Sequence, residues 1–205
     1  MRRSTQEKIL ADYQTTLDAD VPEEQPKKRG CLRGVVDVIE TILVSVLLFV
    51  GINAVSARIR VDGYSMYPTF DNGEFVIVNK LAYRWSEPKR GDIIVFHNPR
   101  NPSVEYIKRI IGLPGEMVTV SGGQVYINGE LLDEPYIAEE PLYDNEWLVP
   151  ENALYVLGDN RNNSSDSHSW GALPVEYIVG KALLVYWPPE RISLVDHITT
   201  ANAAP

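Results

Sequence analysis

One apolar run near the N-terminus, Val35 to Ser56, constrains this chain more than any other feature; it reads VVDVIETILVSVLLFVGINAVS. A membrane-crossing helix needs about 20 mainly apolar residues, and the run has that length. Its centre, Ile42–Val50, is apolar apart from Ser45, too continuous for a soluble helix that keeps one polar face. Asp37 and Glu40 fall in the expected first turns, where carboxylates reach the headgroup region and face the positive helix end. Lys27, Lys28, Arg29 and Arg33 closely precede the run, while Arg58 and Arg60 follow it. This modest excess predicts an N-terminus on the cytoplasmic side and the rest of the chain outside. A competing reading is a cleaved leader, because Val55-Ser56-Ala57 has the small residues of a cleavage site. The long polar stretch ahead of the run argues against it.

The flanks add exclusions. Residues 1–34 are polar, and Val21-Pro22-Glu23-Glu24-Gln25-Pro26 is unsuited to a helix; a disordered tail is expected. Cys31 is the only cysteine, which excludes an intramolecular disulfide and a cysteine zinc site. It reads as a bystander thiol beside the membrane, acylation being the alternative. His97, His168 and His197 show no ligand spacing. The formal net charge is −9, and residues 57–205 carry 12 Lys and Arg against 20 Asp and Glu. Such an acidic domain repels phosphate backbones, so nucleic acid is not an expected partner.

Beyond Arg58 the texture becomes short β-rich runs bounded by Gly and Pro: Phe75–Val78, Asp92–Phe96, Val104–Ile111, Val118–Val120, Gln124–Ile127, Ala153–Leu157 and Lys181–Trp187. Ser121-Gly122-Gly123 and Asn128-Gly129 read as tight turns. No long amphipathic helix follows the apolar run. The expected fold is mostly β: a coiled, partly closed antiparallel β-sheet domain over residues 57–195, carried on a single N-terminal transmembrane helix over 35–56. Residues 196–205 form a C-terminal tail without a motif.

Three segments carry chemistry-bearing side chains. They are Gly63-Tyr64-Ser65-Met66-Tyr67-Pro68-Thr69, Tyr106-Ile107-Lys108-Arg109-Ile110-Ile111-Gly112-Leu113-Pro114-Gly115-Glu116, and Gly158-Asp159-Asn160-Arg161-Asn162-Asn163-Ser164-Ser165-Asp166-Ser167. Singly, each reads as ordinary structure: a turn, a strand closed by a turn, a polar loop. In this order on one chain, together with Arg90-Gly91-Asp92-Ile93-Ile94-Val95-Phe96, they resemble the type I signal peptidases, or leader peptidases, which are serine proteases with a Ser–Lys dyad. The resemblance runs from the membrane segment to about Trp187. The absence of a long insertion between the second and third segments makes the chain similar to the smaller members.

The resemblance implies Ser65 as nucleophile and Lys108 as general base. The residues support this independently. A serine hydroxyl attacks only after a base takes its proton, and none of the three histidines lies in a matching segment. Lysine serves only when neutral, which its ordinary pKa of about 10.4 prevents at neutral pH unless burial lowers it. On a strand Tyr106, Lys108 and Ile110 share one face and Ile107, Arg109 and Ile111 the other. Lys108 then faces the site while Arg109 turns to a structural ion pair.

The same resemblance implies that Ser164 orients the lysine and that Asp159 and Asp166 support the site, with Arg161 in an ion pair to a nearby carboxylate. It also implies that Ile59, Val61, Met66 and Ile107 line shallow apolar pockets suited to small side chains, with the leader added as a strand beside Ile59–Asp62. Two positions depart from some members. Gly63 replaces a serine that donates to the oxyanion, leaving backbone N–H groups, chiefly that of Ser65. His168 replaces an arginine, which leaves its pairing with Asp166 open.

The function implied is a plasma-membrane endopeptidase that removes signal peptides from exported preproteins after a small-x-small motif. Its partners are secretory preproteins and the lipid bilayer, and it needs no metal or nucleotide cofactor. Two rivals stand beside it. Self-cleaving repressors use a Ser–Lys dyad on a related β fold but carry a DNA-binding domain where this chain has its apolar run. A membrane-tethered β domain that only binds partners has no need of Ser65 and Lys108.

Overall fold

The structure, a computed structural model, describes residues 31–197. Most of the expected N-terminal tail and all but two residues of the C-terminal tail lie outside the described residues. The chain falls into two units divided between Leu47 and Leu48.

Helix α1 spans Cys31–Val55. Within it Arg33–Val55, 23 residues with mean hydropathy 2.4, is long and apolar enough to cross a membrane, and none of its most apolar window is buried in protein. Its polar side chains bond inward to the helix backbone: Thr41 to the Asp37 carbonyl at 2.8 Å, Ser45 to Thr41 at 2.7 Å, Asn53 to Phe49 at 2.9 Å. Such bonds hide polar groups from hydrocarbon. The helix starts four residues earlier than the sequence suggests, because the turn Cys31–Gly34 is helical too. Asp37 and Glu40 therefore lie outside its first turn and do not sit at the positive helix end.

The second unit is a body of antiparallel strands. In chain order they are β1 (Ser56–Arg60), β2 (Phe75–Asn79), β3 (Ile93–Asn98), β4 (Asn101–Gly112), β5 (Met117–Ser121), β6 (Gln124–Ile127), β7 (Glu130–Leu131), β8 (Asn145–Leu148), β9 (Ala153–Leu157), β10 (Leu173–Pro174), β11 (Ile178–Trp187) and β12 (Ser193–Leu194). The large sheet runs β1-β2-β11-β3-β4-β9-β10 with β12 on β11, and the small one runs β7-β6-β5-β8. Only the four-residue helix α2 (Ser167–Trp170) and two 3-10 turns interrupt the β structure among the described residues after α1. Asn128 and Gly129, both with positive φ, close the β6–β7 hairpin; this left-handed pair matches the twist of the flanking strands.

Alternation of side chains across the strands creates three cores. One gathers Val61, Met66, Phe70, Val76, Val95 and Ile107. The second lies on the small sheet around Val118, Val125 and Tyr155. The third surrounds Ile94, Phe96, Ile110 and Val156.

Ala57 is paired with Val78 inside β1 and packs against the first core. The bond that a cleaved leader would lose is thus part of the sheet. At the other end the body reaches past Val195. The His197 ring accepts a hydrogen bond from the Ile93 N–H at 3.2 Å, and its second nitrogen lies 2.9 Å from the Ala182 carbonyl.

Candidate active site

Ser65 sits in the turn between β1 and β2, and other elements fix that turn. Gly63 adopts φ +98°, a conformation that glycine reaches without strain, and its N–H donates to Asn72 Oδ1 at 2.8 Å. The Asn160 backbone N–H donates to the Ser65 carbonyl, and its side chain to the Tyr64 carbonyl, both at 3.1 Å. Gly158 lies so close behind that an added Cβ would collide with the Ser65 carbonyl oxygen and with Ser164 Oγ. The Ser65 N–H donates to no described backbone acceptor.

Lys108 comes from β4, paired with Ile94 of β3. Its Nζ lies 2.6 Å from Ser65 Oγ and donates to the Ile107 carbonyl at 2.8 Å. The Tyr106 ring centroid is 5.3 Å from the same nitrogen. The side chain is only 3% exposed. Burial pushes its pKa down to about 8 against the upward pull of Asp166 and Asp159. An amine of this kind is neutral in a useful fraction of molecules near neutral pH.

Arg109, the next residue, turns the other way. It meets Asp159 through two bonds of 2.8 Å, donates to the Gly91 carbonyl, and stacks 4.0 Å over the Tyr136 ring. Thr69 Oγ1 donates to the same Asp159 carboxylate. Asp159 thus ties the lysine strand to the serine turn. Asp166 accepts from the Gly158 N–H at 2.9 Å and caps α2 through the His168 N–H. His168 Nδ1 lies 2.7 Å from Asp166 Oδ1, so the histidine does pair with this carboxylate. The Arg90 box has a separate task. Arg90 grips Glu116 through two bonds and fixes the Gly-Leu-Pro-Gly turn that ends β4.

A groove of about 560 Å³ opens beside the dyad between residues 58–62 and residues 104–108. Its apolar lining is Ile59, Val61, Val104 and Ile107 with the Tyr106 ring, and Ser65 and Lys108 stand in its wall. β1 is an outer strand of its sheet, and β9 pairs with β4 only from Arg109 onward. Both strands therefore turn unpaired backbone toward the groove, which is what an added strand requires.

Two implied placements differ, and the Arg161 ion pair forms with a carboxylate outside the three segments. Met66 is fully buried in the first core and does not line the groove; it follows Ser65 in the tight turn and so points inward. Ser164 Oγ is buried near Gly158 but bonds to no described partner, Lys108 included. Arg161 pairs with neither Asp159 nor Asp166. Its two bonds of 2.7 and 2.6 Å go to Glu134, and its Nε donates to the Gly158 carbonyl. Glu134, Tyr136, Thr69 and Asn160 are the site residues that the sequence reading passed over. The first two lie in the loop after β7, and no local pattern links that loop to Arg161.

The sequence profile of the family described as "Signal peptidase, peptidase S26" matches residues 35–187. The chain belongs to this family. The signal peptidase I of Leptolyngbya laminosa is 44% identical over 188 residues, covering 86% of this chain and 90% of that one. The thylakoidal processing peptidase 1 of Arabidopsis thaliana is 40% identical over 63% of this chain and 41% of its own length. A solved signal peptidase I from Enterococcus faecalis V583 is 37% identical, with a TM-score of 0.44 over 47% of this chain and 97% of that one. This S26 peptidase is therefore a serine protease and a membrane-associated hydrolase that removes signal peptides from preproteins.

Proposed function

We propose that the S26 peptidase cuts by acyl transfer through a Ser65–Lys108 dyad. The observation that carries this reading is the 2.6 Å approach of a buried lysine amine to the serine hydroxyl. Neutral Lys108 takes the Ser65 proton as Oγ bonds to the carbonyl carbon of the leader's last residue. The free Ser65 N–H faces the developing oxyanion. The tetrahedral centre collapses, the C–N bond breaks, and Lys108 returns the proton to the leaving amine. Water, deprotonated by the same lysine, then attacks the acyl carbon and frees Ser65, releasing the leader with a C-terminal carboxylate.

The groove supports cleavage after a small-x-small motif. A leader lying as a strand between 58–62 and 104–108 sets alternate side chains against Ile59, Val61 and Ile107. The branched side chains leave a shallow floor that fits alanine. Asp159, Arg109 and Thr69 brace the two strands, Arg161 and Glu134 brace the loop behind them, and Ser164 borders Gly158. The basic cluster ahead of the apolar run supports a cytoplasmic N-terminus and a catalytic domain on the outer face of the plasma membrane, in contact with the bilayer. The acidic domain supports a partner set without nucleic acid.

The deciding experiment incubates purified full-length protein in detergent with a preprotein whose leader ends in Ala-x-Ala. Wild type, Ser65→Ala and Lys108→Ala run in parallel, with products read by mass. Cleavage after the second alanine by wild type alone is the expected result; cutting by either variant at the wild-type rate would remove that residue from the mechanism.

A further inference from the structure

His168 touches neither Ser65 nor Lys108, yet a short chain of contacts joins it to both. Its Nδ1 and its backbone N–H both approach Asp166 Oδ1, at 2.7 and 3.2 Å. The other oxygen of Asp166 accepts the Gly158 N–H at 2.9 Å. Gly158 in turn packs against the Ser65 carbonyl with no room for a side chain. Asp166 is completely buried, whereas the imidazole is a quarter exposed and can exchange protons with solvent. Tyr143 stacks on the ring, centroids 4.5 Å apart and planes within 18°.

We propose that His168 is a positioning residue for the dyad: it holds Asp166 against the Gly158 backbone behind Ser65, and its charge weakens the attraction of Asp166 for a proton on Lys108. This inference rests on the Ser65–Lys108 reading above.

The electrostatics follow from the contacts. Asp166 acts on Lys108 and favours its charged form, which is inactive as a base. A cationic imidazole on the far side of Asp166 offsets part of that negative field, so Lys108 gives up its proton more readily. The bond to Asp166 raises the imidazole pKa above its ordinary value, with burial opposing. Asp166 is thus the one acidic group that both cations share. Tyr143 is the titratable group on the ring's other side. Burial, with Asp166 and Glu134, holds its hydroxyl far above the usual range against the downward pull of Arg161, so it stays neutral while His168 titrates.

The test measures kcat and KM across the acid limb of the pH profile for wild type, His168→Gln, His168→Arg and Lys108→Ala. Full-length proteins in detergent act on a preprotein with an Ala-x-Ala leader. Gln keeps a hydrogen-bonding side chain without charge, and Arg is a permanent cation. For Gln the expected result is an acid limb moved up by at least about 0.3 pH unit and a kcat lower by about twofold or more near neutrality, with KM within about twofold. For Arg the expected limb coincides with wild type or lies below it, with kcat retained. A Gln limb superimposed on wild type, or Gln and Arg moving together, overturns the proposal. Should thermal melting show Gln unfolded, Arg decides alone, and a limb above wild type overturns it. Activity in Lys108→Ala would instead break the dyad reading itself.

Discussion

Arg109 and Asp159 meet in a two-point ion pair closed to solvent, one residue from Lys108 on one side and one residue from Gly158 on the other. The strand that delivers the base and the loop that backs the nucleophile are joined through this pair. Removing one partner strands the other as an uncompensated buried charge. We expect Asp159→Ala to cost about 3–5 kcal/mol, read as a lower denaturant midpoint, and to take activity with it. The double variant Arg109→Met, Asp159→Leu, which leaves no lone charge, should recover most of the stability and little of the activity. Equal losses in single and double variants would contradict this account.

The base sets the pH dependence of the rate. In the proposed mechanism only neutral Lys108 accepts the Ser65 proton, and its pKa is pushed down to about 8. The value of kcat/KM should therefore rise with pH through an apparent pKa near 8. Lys108→Arg should be inert throughout, since guanidinium stays charged. A rate that is flat across this range would place the base elsewhere.

The same lysine costs stability. Its folded pKa lies below the unfolded value of 10.5, so between the two the unfolded chain binds more protons. Stability is fully present above pH 10.5, declines as pH falls to about 8, and stays low below that. Lys108→Met should therefore stabilise the domain at neutral pH by on the order of 2 kcal/mol, at ~1.4 kcal/mol per pH unit, less the lost hydrogen bonds. The gain should fade in alkaline buffer. Urea unfolding at two pH values measures it, and a gain independent of pH would refute the electrostatic origin.

Gly158 is a sterically exacting position. An added Cβ meets the Ser65 carbonyl oxygen, which cannot swing aside as a flexible side chain can. Gly158→Ala should shift the Ser65 turn and lower kcat by ~100-fold, because misplacing reacting groups by about 1 Å is that expensive. The comparison is single-turnover cleavage at saturating substrate. Retention of more than a tenth of the rate would show that the turn yields.

The segments that bring Ser65 and Lys108 together, the long apolar helix and most strands were legible in the sequence because each rests on local signals: an apolar run, alternation within strands, and motifs compact enough to recognise in order. The β6–β7 turn was legible for the same reason, as Asn128-Gly129 encodes its own geometry. The Arg161–Glu134 pair was not, because its 27-residue separation is set by how the two sheets fold over each other. Met66 misled because its motif position adjoins the nucleophile, while the direction of its side chain is fixed by the turn. β8 escaped because Asn145-Glu146-Trp147-Leu148 is mostly exposed and shows no apolar alternation.

The groove is made of two edges left unsatisfied, the end of β1 continuing through residues 58–62 and β4 along 104–108. Open edges of this kind are templates for any extended chain, including the same segment of another molecule. Arg58, Arg60, Asp62 and Glu105 line this groove, and none of the four forms an ion pair among the described residues. Their mixed, solvated charges make self-association along these edges unfavourable while leaving the backbone open to a passing leader. The enzyme thereby carries its protection against aggregation in the same segments that, on the proposed reading, receive its substrate.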